Sequence, residues 1–196
     1  MEFNKSKKIL VIGRAGMDIY PEPPGTKISE VKNFSTHLGG SAANTCVALS
    51  QLGVQSDLLT CVSEDAIGEY IFEKLKEFNV GSNFCRRVEN KFQTQVAVVE
   101  TILKNNQSIL YRNNSCDLQL NKNDIDNINF QDYSAVFISG TTLSSNPSRD
   151  AVFYATQKAS LLSIPLIIDM DYRPYNWESD EILSLIHISE PTRQSS

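Results

Sequence analysis

Residues Leu38 to Gly53 read LGGSAANTCVALSQLG, and this stretch decides how the rest of the chain is interpreted. Gly39 and Gly40 lack a Cβ, so the backbone there can adopt a positive φ and approach a ligand closely. An apolar helix is predicted to follow, capped by Ser41 or a neighbour, with free N–H groups in its first turn. Asn44 would project from that turn. Two interpretations stay open: a ligand-binding turn, or a tight turn into a buried helix.

The composition predicts a globular protein with one domain, or one domain and a small appendage. The 196 residues are 41% apolar and 21% charged, with a net charge of −5, and these values are ordinary. No basic tract is present, so the sequence offers no electrostatic footprint for nucleic acid or for an anionic membrane. No apolar run reaches about 18 residues, which argues against a spanning helix.

Cysteine and histidine are sparse. The four cysteines are widely spaced with no CxxC pair, and we expect reduced thiols in a cytoplasmic protein. The two histidines, His37 and His187, are too few to favour a metal site or a Ser-His-Asp hydrolase, and no metal ligand is predicted. His37 precedes the glycine pair, where it would either touch a ligand or lie in an exposed loop.

Short apolar runs alternate with helical patterns along the chain, which predicts a parallel, doubly wound α/β sheet. The strand-like runs are residues 8–12, 57–63, 83–88, 135–139 and 165–170. Asp65 is predicted to start one helix and Asn146-Pro147 another. The segment YPEPPG at residues 20–25 holds three prolines, so we expect a loop or an edge extension there. GRAGMD, after the first strand, is not GxGxxG and disfavours a dinucleotide site.

A hairpin pattern interrupts this alternation. Residues 92–102 read FQTQVAVVETI, a polar turn follows, and residues 108–112 read SILYR. Such a hairpin could cover a cleft, pair with a second subunit, or simply form an edge of the sheet.

Charged residues occur in three groups at predicted strand ends or on the hairpin. The groups are Asp18 with the Gly39-Gly40 turn, Tyr111-Arg112, and Asp169-x-Asp171-x-Arg173. Carboxylates accept hydrogen bonds from hydroxyls, and guanidinium groups bind a carboxylate or keto oxygen as a fork. Together the groups suit a small polyhydroxylated anion, whereas each alone could be a surface ion pair.

These motifs resemble those of the ribokinase-like (phosphofructokinase-B-type) carbohydrate kinases. The resemblance rests on GRAGMDIYP, LGGSAANTCVALSQLG, VSEDAIGEYIFEKLKEFNV, ILYRNNSCDLQL and IIDMDYRPYNW, and it covers residues 7 to about 182. The glycine-glycine-x-x-x-asparagine motif is specific to the family. GRAGxDxYP and DxDYRPxxW are similar to a subgroup that acts on a keto-deoxy sugar acid in inositol catabolism.

The resemblance implies a three-layer α/β/α fold with a parallel central sheet and a small β lid, built from about residues 14–38 and 91–115. It also implies ATP- and Mg²⁺-dependent phosphorylation of a primary hydroxyl. Asp18 would hold sugar hydroxyls, and Gly39, Gly40 and Asn44 would line the sugar pocket.

Further roles follow from the same resemblance. Arg112 and Arg173 would contact the carboxylate and keto end of the sugar acid. Asp171 would lie near the nucleotide phosphates, where many relatives have asparagine. The oligomeric state stays open, although the lid hairpin offers a surface for a homodimer.

The family's GAGD-type motif, with the catalytic aspartate, occurs nowhere in this chain. The resemblance therefore predicts that residues 1–182 are the N-terminal part of a kinase and are inactive alone. LSLIHISEPTR at residues 183–193 is similar to a translated sequencing-library adapter, so residues 183–196 are predicted to be a non-native tail, with a short natural tail as the alternative.

Competing functions stay open. One is a sugar-binding or regulatory module without catalysis. Another is a kinase for a different sugar, such as 2-keto-3-deoxygluconate or fructose. A nicotinamide oxidoreductase is disfavoured for want of GxGxxG.

Overall fold

The computed structural model describes residues 7–89, 91–104 and 106–171, which form nine strands and four α-helices. The strands are β1 (Lys8–Ile12), β2 (Gly16–Glu22), β3 (Asn33–Gly39), β4 (Ser56–Ser63), β5 (Gly81–Val88), β6 (Gln95–Val99), β7 (Ser108–Tyr111), β8 (Tyr133–Ser139) and β9 (Leu166–Asp169). The helices are α1 (Ser41–Gln51), α2 (Ala66–Glu77), α3 (Lys122–Asp126) and α4 (Ser148–Leu161).

The central sheet has the strand order β5-β4-β1-β8-β9, and every neighbouring pair is parallel. This confirms the parallel α/β sheet predicted from the sequence. Each residue of β4 is buried, as expected for a strand covered on both faces. The chain adds strands to one side of β1 and then returns to add β8 and β9 on the other, so the strand order reverses between β1 and β8.

Helices cover both faces of this sheet and create two cores. Leu10 and Ile12 of β1 pack with α3 and α4 residues such as Ile125 and Ala151. Val11, which points to the opposite face, packs with α1 and α2 residues such as Ile71. The alternation of side chains along a strand produces this division, and the resulting three α/β/α layers confirm the predicted fold class.

A second sheet has the order β3-β2-β6-β7. β2 is antiparallel to β3 and parallel to β6, and β6 is antiparallel to β7. The predicted hairpin is therefore present as β6 and β7. The stretches 14–38 and 91–115, which the resemblance assigns to a lid, contain these four strands.

Residues 20–25 combine the two expected alternatives, an edge extension followed by a turn. Tyr20 to Glu22 complete strand β2 as partners of β3, and only the segment after Glu22 turns. Pairing of β2 with β6 ends at Ile19. Pro21 therefore lies where β2 has a partner on one side only, a position that tolerates the missing N–H group.

The side-chain cap expected at the start of α2 is present, whereas α1 has none. Asp65 caps α2, as expected, by accepting hydrogen bonds from the backbone N–H groups of Ile67 and Gly68, both at 2.9 Å. Ser41 is not a cap: Gly40 occupies the N-cap position of α1, and no side chain caps this helix. No helix in the described ranges up to residue 171 is long and apolar enough to cross a membrane. All four cysteines are free thiols, as expected.

Candidate functional site

The candidate site lies where the two sheets meet. β1 ends at Ile12, and three residues lead directly into β2. Gly13 packs so closely between α1 and β8 that an added Cβ would lie 2.5 Å from Ala42 Cβ and 2.9 Å from Ser139 Cβ. The carboxyl ends of β1 and β8 meet here, at the reversal of strand order, which is the usual place for ligands in open α/β sheets.

Gly40 forms one wall of the site through its backbone. Its φ of +93° is a conformation that other residues rarely adopt. An added Cβ would also overlap with the carbonyl oxygen of Arg14 and would lie 2.9 Å from Ala15 Cα. The same Arg14 carbonyl accepts a hydrogen bond of 3.3 Å from Ala43 N in the first turn of α1. The glycine pair therefore lets the strand β3, the helix α1 and the loop after β1 touch.

The Asp18 carboxylate lies against Gly39, the other glycine of the pair. A Cβ on Gly39 would be 2.5 Å from Asp18 Cγ, so the absence of a side chain at residue 39 makes room for the carboxylate. Among the described residues the Asp18 carboxylate has no hydrogen-bond partner. Burial raises the pKa of Asp18, while the nearby Arg14 and His37 act to lower it. His37 is the cross-strand neighbour of Asp18 and is exposed.

Asp171 lies at the end of β9 and is buried among hydroxyl groups. Its Oδ2 accepts a hydrogen bond of 2.8 Å from Ser41 Oγ, and Ser139 Oγ lies 3.4 Å away. The two serine hydroxyls are 3.0 Å apart. Asp169 Oδ1 accepts a hydrogen bond of 3.1 Å from the Asp171 N–H.

Arg14 connects two of the three predicted groups. Its Nη2 is 3.9 Å from Asp171 Oδ2, and both side chains are almost fully buried. The charge of Arg14 also acts on Asp18. The structure therefore brings Asp18, the Gly39-Gly40 turn and Asp171 together around one arginine.

Arg112 follows β7 and is held by a buried carboxylate. Its Nη2 is 2.6 Å from Asp117 Oδ2, and both side chains are nearly inaccessible. Ser115 Oγ donates a hydrogen bond to the other Asp117 oxygen. Arg112 Nε is also buried, and it has no partner within the described part of the chain.

The other predicted residues are placed less decisively. Asn44 is exposed in the first turn of α1, and its backbone N–H donates to Gly40 O at 3.0 Å. Tyr111 is exposed on β7. Arg173 and His187 lie outside the described residues.

Sequence reasoning gave no role to Arg14 and considered Ser41 only as one of two candidates for the helix cap, although both side chains contact Asp171. Ser139 and Gln95 were also missed; Gln95 lies opposite Gly16, and its Oε1 is buried without a partner among the described residues. One signal could have singled out Arg14: it is a charged residue directly after a buried strand, between two glycines.

The resemblance also implies ATP and Mg²⁺. In the ranges described up to residue 171, no group of three or more His, Cys, Asp or Glu side chains is arranged to hold a metal ion. Asp171 is engaged by Ser41 and faces Arg14. These residues do not by themselves fit a Mg²⁺ ion, and the contact of Asp171 with a nucleotide phosphate stays a prediction.

Comparison with known proteins agrees with the resemblance. Residues 6–194 match the family profile described as pfkB family carbohydrate kinase. The chain is 32% identical over 178 residues to a 5-dehydro-2-deoxygluconokinase of Photobacterium profundum, covering 91% of this chain and 54% of that protein. It is 33% identical over 190 residues to one of Clostridium perfringens, covering 95% and 56%.

A solved structure of a sugar kinase also has a similar fold. The structure is similar to that of an uncharacterized sugar kinase of Pyrococcus horikoshii in complex with ATP, with a TM-score of 0.77 and 27% identity over 91% of this chain and 58% of that one. The chain thus spans about half the length of the curated relatives it matches. The family match reaches residue 194, so it includes most of the stretch predicted to be a non-native tail.

Proposed function

This chain belongs to the pfkB family of carbohydrate kinases, and we propose that it supplies the sugar-binding part of an enzyme that phosphorylates 5-dehydro-2-deoxy-D-gluconate. ATP, with Mg²⁺, would supply the phosphoryl group when bound, and a primary hydroxyl would accept it. The names of the relatives support this acceptor, and inositol catabolism would be its setting. The ATP-bound neighbour supports the donor.

One observation carries the proposal: an Asp18 carboxylate lies over Gly39, beside Arg14, with no hydrogen-bond partner among the described residues. An ionised carboxylate accepts two or more hydrogen bonds, so a sugar diol is a fitting partner. Gly39 and Gly40 would bring backbone close to the sugar ring. Phosphoryl transfer depends mostly on positioning, and these residues would orient the acceptor hydroxyl.

The second sheet supplies the other proposed contacts. Arg112 would turn its remaining N–H groups to the acid end of the sugar while Asp117 holds one nitrogen. Asn44 and Arg173 are proposed as further contacts from the resemblance. Closure of the second sheet over the sugar would exclude water from the reacting hydroxyl.

The test of the acceptor is calorimetry on this chain. We expect 5-dehydro-2-deoxy-D-gluconate to bind to the wild type. Asp18→Asn should lower this affinity by about 10- to 100-fold, because hydrogen bonds from the sugar to a charged carboxylate are lost. The same titration with 2-keto-3-deoxygluconate and with fructose separates the alternative acceptors. Equal affinity of the wild type and Asp18→Asn for every sugar would contradict the proposal.

A second assay addresses catalysis. We expect no ATP-dependent phosphorylation by the 196-residue chain, because no GAGD-type motif is available to supply the base and anion hole. A full-length relative, assayed in parallel, provides the positive control. Turnover by this chain at a comparable rate would contradict that expectation.

The second candidate function is a sugar-binding or regulatory module without catalysis. Most of the candidate residues favour it as much as they favour a kinase, because all but Asp171 would contact the sugar. Titration with ATP separates the two functions: a nucleotide that binds, or that tightens sugar binding, favours the kinase.

We also propose a homodimer through the second sheet. Its register places Ile19, Val98 and Ile109 in one row and Met17, Val96 and Tyr111 in the next, on the face opposite Asp18. Ile109 and Tyr111 are exposed to 40% and 59%. The β7 end of this face is therefore exposed, and an exposed apolar surface is typical of an interface.

Light scattering tests the dimer. We expect a dimer for the wild type and a monomer for Ile109→Glu, because the charge would be buried in the apolar face. Leu103→Glu is the matched control, since Leu103 is a fully exposed loop residue. A monomeric wild type would contradict the proposal.

A further inference from the structure

Arg14 is a buried cation with too few partners. The residue is 6% exposed. Its Nε and Nη1 are buried, and neither has a hydrogen-bond partner in the described part of the chain. Its ion pair with Asp171 is long, at 3.9 Å between Nη2 and Oδ2.

The ion pair with Asp171 involves only Nη2 of Arg14 and leaves the buried Nε and Nη1 without a hydrogen bond in the described part of the chain. The same Oδ2 that faces Arg14 already accepts a hydrogen bond from Ser41 and lies 3.4 Å from Ser139 Oγ. A guanidinium group carries five N–H donors, and a buried charge that lacks hydrogen bonds is costly. Arg86, by comparison, donates two hydrogen bonds to the Asp124 carboxylate, at 2.6 and 3.0 Å.

We propose that Arg14 is a specificity residue of the sugar site and binds the carboxylate of the acid acceptor. This inference rests on the proposed function. The ligand carboxylate would accept hydrogen bonds from the Arg14 nitrogens that now have no partner. A bound carboxylate and a guanidinium group form short, charge-assisted hydrogen bonds.

The charges around Arg14 favour a carboxylate over a phosphate group. Asp171 lies 3.9 Å from the guanidinium group, and the charge of Arg14 also acts on Asp18. A ligand with one negative charge is repelled less by these two carboxylates than a phosphate with two or more. Arg112, whose Nη2 is bound to Asp117 at 2.6 Å, would act beside Arg14 at the acid end through its other nitrogens.

The experiment compares two ligands that differ only in charge. Calorimetry is run with 5-dehydro-2-deoxy-D-gluconate and with its neutral counterpart, in which the carboxylate is reduced to a hydroxymethyl group. The proteins are the wild type, Arg14→Gln, Arg14→Lys and the control Arg87→Gln. Arg87 pairs with Glu69 at the surface, so its substitution changes the net charge equally without touching the site.

We expect Arg14→Gln to lower the affinity for the acid by about 10- to 100-fold. The affinity for the neutral sugar should fall by less than about threefold, because only charge-assisted hydrogen bonds are lost. Arg14→Lys should recover part of the acid affinity, since the charge returns without the planar fork. Arg87→Gln should bind both sugars as the wild type does.

Two results with the variants would overturn the inference: an equal loss of affinity for both sugars, or an undiminished acid affinity in Arg14→Gln. Thermal melting checks each variant. If Arg14→Gln does not fold, the ratio of acid to neutral affinity in Arg14→Lys decides, and an unchanged ratio refutes the role.

The proposed function fails in a different way. A wild type that binds neither sugar removes the sugar site and the Arg14 role with it. A wild type that binds both sugars equally well keeps the site and removes only the role of Arg14.

Discussion

Gly40 combines two constraints that no other residue type meets. Its φ of +93° costs an L-amino acid free energy, and its missing Cβ admits the backbone of Arg14 and Ala15. Gly53 shares only the first constraint, with a φ of +77° and no heavy atom within 4 Å of an added Cβ. The two glycines therefore separate backbone strain from close packing.

We expect Gly53→Ala to cost about 1–2 kcal/mol of unfolding free energy, from the left-handed conformation alone. Gly40→Ala should cost about 2–4 kcal/mol, because steric overlap adds to the strain of its backbone, with φ 93° and ψ 131°. Urea unfolding of both variants measures the difference. Equal losses would show that the close approach at Gly40 is not maintained in solution.

Asp18 should make stability and binding depend on pH in opposite ways. Burial raises its pKa above the ordinary 3.8, so the folded chain holds this proton more tightly than the unfolded chain. The stability it contributes is present below the ordinary pKa and is lost as pH rises through the raised value. Sugar binding needs the ionised form, so affinity should fall as pH falls through that raised value.

Asp18→Asn tests this sign. The variant should melt higher than the wild type near neutral pH, and the gap should close on acidification, because asparagine has no proton to lose. Melting temperatures across the acidic range measure the gap. A variant that is less stable than the wild type at neutral pH would refute the expected sign.

The helices α1 and α2 begin in different ways, although both follow the same strand-to-helix pattern. Asp65 caps α2 with a side chain that bonds to two backbone N–H groups and accepts a third hydrogen bond from Ser63 Oγ. α1 begins at Gly40 without a side-chain cap, and the Ser41 hydroxyl points to Asp171 instead. The hydroxyl thus serves the site rather than the helix end.

Asp65→Ala should destabilise the chain by about 1 kcal/mol, the usual value of an N-cap. Asp65→Asn is the control, because asparagine keeps the cap and removes only the charge. Burial acts to raise the pKa of Asp65, but hydrogen bonds from Ser63, Gly68 and Ile67 outweigh it and lower the pKa. The charge therefore stabilises above the ordinary pKa, and its contribution is lost as pH falls through the lowered value.

Chemical denaturation of the three proteins at neutral pH and about pH 3 measures the effect. The gap between wild type and Asp65→Asn should shrink at the lower pH. A gap that grows on acidification would contradict the sign.

The whole molecule consists of a deeply buried sheet joined to a thinner one. β4 is buried throughout, whereas most of β3 and β7 is exposed. One buried link between the sheets is the hydrogen bond of 2.8 Å from Ser63 N to Thr94 Oγ1, just before β6. The second sheet should therefore open more easily than the first.

Hydrogen exchange tests this order of stability. Amides of β1 and β4 should exchange slowest, through global unfolding, and amides of β3 and β7 fastest, through local opening. Adding the sugar acid should slow exchange in the second sheet and leave β5 unchanged. Uniform protection of both sheets would contradict this division.

The sequence by itself determined the order and type of the main elements. Hydrophobic periodicity and capping are local, so the strands of the central sheet, the Asp65 cap and the β6–β7 hairpin could be predicted from neighbouring residues. The family motifs also singled out Asp18, Gly39 and Gly40 as candidate site residues, and these are close in the chain to the elements that hold them.

Only the tertiary structure decided which side chains meet. Ser41 and Asp171 are 130 residues apart in sequence, yet their side chains are 2.8 Å apart. The strand assignment of Tyr20 to Glu22 depends on pairing with β3, and the ion pair of Arg14 joins it to Asp171, which follows β9. Local patterns carry no information on such contacts, because burial and partner choice arise only when distant segments pack together.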